Sequence, residues 1–390
     1  MLFNKQGHYM NITIKNNFGN YNSYITPHNA FYNTNLLNKN EYDSFEVSNS
    51  NTIFTGKTKS RKQTKRVEEQ LRDLDNVHDP YSDVILISKK KFKNLQDKLS
   101  KRTEAESTIK LLSNYQKHMF PISEGEVFEF LKEETKQRKR NKHQKSFDFH
   151  DILMDELPNS KARLIEQELN IVEQMEHIAK KLDKHEQHEV KSILGIIKED
   201  IYNDNFRIKP TRELLINLNK VTNNQNVVDK IVKKSKEFPN SMTSFDAFVV
   251  KNANNTHQEI AEALISPAII SLEHIKPQSD GGETKGGNSI AASRRMNNYR
   301  QSTPLNEFIE EFPNIPFQTQ RYINDLKQKI NRGGIPDIAY TLPEVKESLR
   351  KESHCLINID ISDINPKVSK ETTDFRSKID KLVEHFTTKE

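Results

Sequence analysis

Between Leu164 and Ile201 apolar side chains return mostly every three to five residues, and this constrains the fold more than any other feature of the chain. Leu164, Leu169, Val172, Met175, Ile178 and Leu182 form one run, and Val190, Ile193, Leu194, Ile197 and Ile201 form a second. That period is the buried stripe of an amphipathic helix. It predicts either two antiparallel helices or one long rod suited to pairing, with Pro158, Asn159 and Ser160 as the start. Helical patterning also covers 92–119, 124–136, 211–220, 225–236, 244–263 and 318–330, the last closed by Gly333-Gly334, with short helices after Pro304 and at 375–386. Pro121 should end the first of these. Ser123 and Glu126 have the spacing of a capping box for the next. Runs with β character are few and short: 81–88, 268–272, 289–291 and, near the start, 10–14.

Composition narrows the class further. Hydrophobic residues make up 34% and charged residues 29% of the 390, with a mean hydropathy of −0.83. No window approaches the ~18 consecutive apolar residues of a membrane span, so no membrane role is expected. Residues 1–20 show neither a basic nor an apolar segment of a secretory signal, which predicts a cytoplasmic chain. The single cysteine, Cys355, excludes an internal disulfide and a Cys-rich zinc site. Next to His354 on a strand its side chain would face the other way, so a half-buried thiol is expected rather than a catalytic pair. The absence of Trp excludes a Trp cage.

The net charge of +5 is too small to identify a nucleic-acid partner. Its distribution says more. Residues 57–66, KTKSRKQTKR, hold six basic residues and no acidic one, and KQRKRNKHQK follows at 136–145. Each reads either as a phosphate-contacting patch or as a solvated linker. Residues 1–58 are polar, rich in Asn, Tyr, Ser and Thr, and bury too little to offset ordering, so a disordered leader is expected. Its Phe18, Tyr21, Tyr24 and Tyr32 would otherwise serve as base-stacking rings. Two metal patterns fail on spacing. His185 and His188 stand three apart where a zinc-protease helix needs four, and Glu173, Glu176 and His177 miss the Glu-x-x-His register of di-iron bundles.

The chemistry concentrates in LEHIKPQSDGGETKGGNSIAASRRMNNYRQS, residues 272–302. A strand runs into Glu273 and His274, a loop carries Gly281-Gly282 and Gly286-Gly287, Asn288 opens a second short strand, and a helix begins near Ser293. Phosphodiester hydrolysis needs a base to activate water and a cation to neutralise charge. A histidine at a strand end suits the first task near neutral pH. A carboxylate with an Asn amide oxygen offers hard ligands for Mg²⁺. The glycine pairs allow tight turns and close backbone approach to a phosphodiester. Lys276, Lys285, Arg294, Arg295 and Arg300 surround the segment as candidate phosphate or nucleic-acid contacts.

This segment resembles the HNH, or His-Me finger, endonucleases, whose ββα-metal motif carries an acidic-His pair, a nearby Pro, an Asn before the second strand and a His or Asn on the helix. His274, Asn288 and Asn297 stand fourteen and nine residues apart, as in the HNH domain of the RNA-guided CRISPR nuclease, and EHIKPQS is similar to that domain's local string. The resemblance covers about 35 residues, or 75 with the helices that follow. It implies His274 as general base, Asn288 as the residue that holds the loop and orients His274, and one Mg²⁺ or Mn²⁺ on Glu273 and Asn297. Asn298 is the alternative ligand if the helix register differs by one. The carboxylate is Glu where the family usually has Asp. Ser293 and Met296 stand where many relatives have zinc cysteines, so no structural zinc is expected.

The resulting expectation is a mainly α chain with a small ββα-metal module and a polar N-terminal leader. Its regions are the leader at 1–58, a charged helical region at 59–150, a helical hairpin or bundle at 151–240, the nuclease module at 241–335 and an extension at 336–390. The family's usual substrate makes DNA the expected partner ahead of RNA, and helices 160–201 are a candidate homodimer surface. An inactive HNH scaffold that binds nucleic acid, or a helical interaction protein, is the alternative.

Overall fold

Residues 58–140, 146–203, 211–239, 243–362 and 364 are described by the computed structural model, and they are mainly helical around one small sheet. Four helices come first: α1 (Thr58–Arg72), α2 (Lys89–Leu99), α3 (Ala105–Leu112) and α4 (Glu126–Arg140). Next come α5 (Phe149–Ala179), α6 (Lys184–Tyr202), α7 (Thr211–Val221), α8 (Gln225–Ser235), α9 (Phe245–Asn252) and α10 (His257–Ala263). Strands β1 (Ile270–His274) and β2 (Ser289–Ser293) follow, then α11 (Arg294–Arg300), α12 (Leu305–Glu311), α13 (Ile315–Asn331) and α14 (Pro336–Glu352). The expected strand at 10–14, the leader with its aromatic residues, part of the basic cluster at 136–145 and a tail helix at 375–386 lie outside the described residues. No helix among the described residues is long and apolar enough to cross a membrane.

The two runs of apolar period do form antiparallel helices, but α5 starts nine residues before Pro158. Asp148 accepts from the Asp151 N–H while the Asp151 carboxylate accepts from the Asp148 N–H, a reciprocal cap that nucleates the helix upstream. Pro158 is then carried inside the helix on its exposed face. At the other expected cap, Ser123 is buried and takes a hydrogen bond from Arg295, and a π-turn over Pro121–Gly125 leads into α4 instead. Pro121 accordingly opens a turn rather than closing a helix, whose residues had already tightened into a 3₁₀ turn at Ser113–His118.

Two buried clusters organise the chain. The first takes residues from 67 to 153 and from 248 to 359. The regions drawn in the sequence at 59–150, 241–335 and 336–390 thus share one core. The second runs from Ile171 to Phe238 and joins α5, α6, α7 and α8. Helix α5 contributes Phe149, Ile152 and Leu153 to the first and Ile171, Val172, Met175 and Ala179 to the second. At 1.5 Å per residue its 31 residues span about 46 Å. The apolar stripe expected to pair two copies is therefore covered within one chain: Val172, Met175, Val190 and Leu194 are buried in the cluster formed by α5, α6, α7 and α8.

The sheet has two antiparallel strands, with Ile270 opposite Ser293 and His274 opposite Ser289. The 81–88 run lies beside it. Its Ile87 N–H donates to Ala268 O at 3.1 Å and its carbonyl accepts from Ile270 N–H at 3.0 Å, a single parallel bridge rather than a strand. On the far edge the Ala291 N–H donates to the Tyr322 hydroxyl of α13 at 3.2 Å. Helix α13 ends as Gly333-Gly334 predicts, with Gly333 at φ 74° and its N–H donating to Ile330 O. Helix α14 is not among the expected helices, although its Ile338, Leu342, Val345 and Leu349 recur at helical spacing around Pro343. Cys355 lies just beyond it, exposed and at φ 68°, not on a strand.

Gly286 and Gly287 are buried beneath α1 and α14. A Cβ on Gly286 would lie 2.8 Å from Thr341 Cγ2, and one on Gly287 would collide with the Glu344 side chain. Gly195, in the middle of α6, has nothing within 4 Å of such an atom. Gly287→Ala should therefore cost about 1–3 kcal/mol, while Gly195→Ala should gain up to about 1 kcal/mol from helix propensity. Urea denaturation of both variants beside the parent checks the contrast.

Candidate nucleic-acid cleavage site

The last residue of β1 is His274, and the chain then turns through Ile275, Lys276 and Pro277 into the loop. Glu273 and His274 differ sharply in environment because successive strand side chains point to opposite faces. Glu273 is 2% exposed and faces α11, whereas His274 is half-buried. Burial holds the His274 imidazole below its ordinary pKa. Glu68 of α1 pulls it upward and Arg300 pushes it down. The neutral ring that results at pH 7 is the form a general base requires. Gln278 stands beside it, its amide nitrogen 3.4 Å from His274 Nε2 and donating to Thr284 Oγ1 at 3.0 Å.

Asn288 is the clamp of this loop. Its Oδ1 accepts from the Lys276 N–H at 2.8 Å, and its Nδ2 donates to Lys276 O at 3.1 Å and Glu283 O at 3.0 Å. Its own carbonyl accepts from the Ile275 N–H at 2.9 Å. Asn288 thus binds the backbone on both sides of the loop and reaches His274 through the adjoining main chain rather than through its amide. Gly281, at φ 81°, makes the turn within. The second pair, Gly286-Gly287, serves helix packing and is not open to a phosphodiester.

The basic residues divide into two groups. Arg294 is exposed, Lys276 is half-buried, and exposed Lys285 pairs with Glu283. Arg295 and Arg300, expected at the surface as phosphate contacts, are buried instead. Arg295 binds Ser123 and Glu124 and lies 4.1 Å from the centre of the Phe120 ring. Arg300 has no exposed side-chain surface and pairs with Glu273. Helix α11 is one-sided, so its apolar Met296 and these two arginines all turn toward the core.

The divalent ion implied by the resemblance needs free oxygens on Glu273 and Asn297. Glu273 does not fit. Its carboxylate is enclosed and held by Arg300; burial pushes its pKa upward, and the guanidinium opposes that rise. Asn297 turns its amide nitrogen to β1, donating to Ser271 Oγ at 2.6 Å and Leu272 O at 3.0 Å. Asn298 is exposed on α11. Among the described residues no three His, Cys, Asp or Glu side chains gather into a metal-ligand group.

Two supports of this segment had no signal in the local motif. Asp79 accepts from Ser293 N–H at 3.1 Å and Ser293 Oγ at 2.8 Å, fixing the junction between β2 and α11. Tyr81 reaches Arg300 at 3.4 Å. The dipeptide Asp79-Pro80 marks a turn, but nothing local says that this turn lies under residues 214 positions away. No protein-family model matches this chain, and no curated protein or solved structure matches it.

Burial pushes the Asp79 carboxyl from 3.8 up to about 6, with Ser82 and Ser293 hydrogen bonds opposing the rise. The folded state therefore holds a proton that the unfolded chain releases first, so stability falls as pH rises. The stability difference between the parent and Asp79→Asn should shrink between about pH 4 and pH 6, as read from denaturant midpoints across that range. Asn288→Asp keeps the acceptor for Lys276 N–H but sets a charge against two carbonyl oxygens. A loss of about 1–3 kcal/mol is expected, together with faster amide exchange across 276–285.

Proposed function

We propose that this chain is an endonuclease of the HNH type, hydrolysing DNA phosphodiester bonds with His274 as the general base. The observation that carries the reading is the Asn288 clamp, which braces the loop behind the end of β1, where His274 stands half-buried at the head of a strand–loop–strand–helix sequence. That succession, β1 to β2 to α11, supports a ββα finger. It places the three resemblance positions at a strand end, a loop base and a helix.

In this reading His274 removes a proton from water as the water attacks phosphorus in line, and the 3′ oxygen departs with the bonding electrons. A neutral imidazole can accept that proton; a protonated one cannot. Lys276, Lys285 and Arg294, the three of the five candidate cations that are not buried, would meet backbone phosphates. One site on one chain gives a nick.

A second reading has its own observation behind it. The Glu273–Arg300 pair removes the acidic ligand on which the family relies, which favours a nucleic-acid-binding protein on an inactive HNH scaffold. Supercoiled plasmid assayed with Mg²⁺, with Mn²⁺ and with EDTA separates the two. Nicked product is expected from the parent under at least one condition and should fall at least about a hundredfold in His274→Ala. Salt-dependent DNA binding with no product from plasmid, single-stranded DNA or RNA would establish the second reading instead.

A further inference from the structure

We infer that the Arg300 guanidinium stands where the HNH resemblance calls for a divalent cation, so that Glu273 is a partner of Arg300 and not a metal ligand. The inference rests on the HNH reading of residues 272–302. Its basis is the set of oxygens that one buried cation collects. Nη1 of Arg300 donates to the Glu273 carboxylate, to His274 O at 3.0 Å and to the Tyr81 hydroxyl at 3.4 Å. Nη2 donates to Ile275 O at 2.6 Å, and Nε donates to Thr303 O at 3.1 Å.

A carboxylate and three main-chain carbonyls are the hard-oxygen donors that Mg²⁺ or Mn²⁺ would take. Here they converge on a group that cannot be deprotonated and whose planar fork requires several acceptors at fixed angles. The pair is enclosed, with Arg300 fully buried and Glu273 nearly so. A metal ion at Glu273 would have to displace a guanidinium with nowhere to go but the core. Because two of the carbonyls belong to His274 and Ile275, Arg300 also fixes the main chain from which the imidazole projects.

Mn²⁺ titration of the full chain, followed by loss of the free-ion electron paramagnetic resonance signal, tests this in the parent and in Glu273→Gln. The expected result is the same Mn²⁺ affinity for both. Binding that weakens about tenfold or more in Glu273→Gln would overturn the inference. Nuclear magnetic resonance of the parent's arginine side chains supplies a second measurement that requires no variant to fold. The Arg300 Nε–H should exchange slowly and stay sharp as Mn²⁺ is added, and its broadening or displacement would also overturn the inference. Failure of the plasmid assay with Arg300 undisturbed by Mn²⁺ would sink the hydrolase reading and leave this one standing. Mn²⁺ binding that requires Glu273 would do the reverse.

Discussion

A guanidinium with no exposed surface ties the end of β1 to the helix that follows β2. Arg300 holds Glu273, the carbonyls of His274 and Ile275, the Tyr81 hydroxyl and the carbonyl of Thr303. A buried ion pair contributes little net stability, because desolvation offsets its attraction, yet removing one member leaves an uncompensated charge that costs about 3–5 kcal/mol. The pair therefore acts as a constraint on geometry. Strand end, following turn and helix must all be in register before the charge is neutralised, and the imidazole of His274 is carried on that same stretch of backbone.

The small sheet depends on segments distant in sequence for everything except its own five residue pairs. Two strands cannot form an independent core, and here neither edge is left bare. Ile87 bridges one side and Tyr322 donates no backbone but offers its hydroxyl to the other. Asp79 holds the start of α11 through Ser293, and α1 and α14 press on the buried Gly286-Gly287 pair. The lack of a Cβ at these glycines is what lets two helices cover the loop on that side. Polar atoms that would be costly to bury are satisfied across long sequence separations, so the site and the core around it should fold as one cooperative unit.

The second cluster stands on a different footing. Helices α5 to α8 bury their own apolar stripes against one another, and α5 continues from that bundle into the first core. That helix of 31 residues carries Pro158 between the segment it gives to one core and the segment it gives to the other. Beside it, in the basic stretch of α4 that the sequence offered as a phosphate patch, Arg138 pairs with Asp155 and Lys139 with Glu106.

By itself the sequence determined the helical class, the two runs of helical period between Leu164 and Ile201, the glycine-closed end of α13 and the order strand, loop, strand, helix around His274, Asn288 and Asn297. Each of these is local: periodicity, capping chemistry and turn residues act within a few positions of one another. Element ends were less legible where two local signals competed, as when the Asp148–Asp151 cap set the start of α5 ahead of Pro158. Tertiary structure alone decided what the charged residues do. Arg295 and Arg300 read as surface cations because lysine and arginine usually stay in water, and only packing shows that Glu124 and Glu273 wait for them in the core. It also decided that Gly286-Gly287 serve helix contact and that Asp79 and Tyr81 belong to the site. Burial and pairing are properties of surfaces brought together from opposite ends of the chain, and no window of sequence contains both members of such a pair.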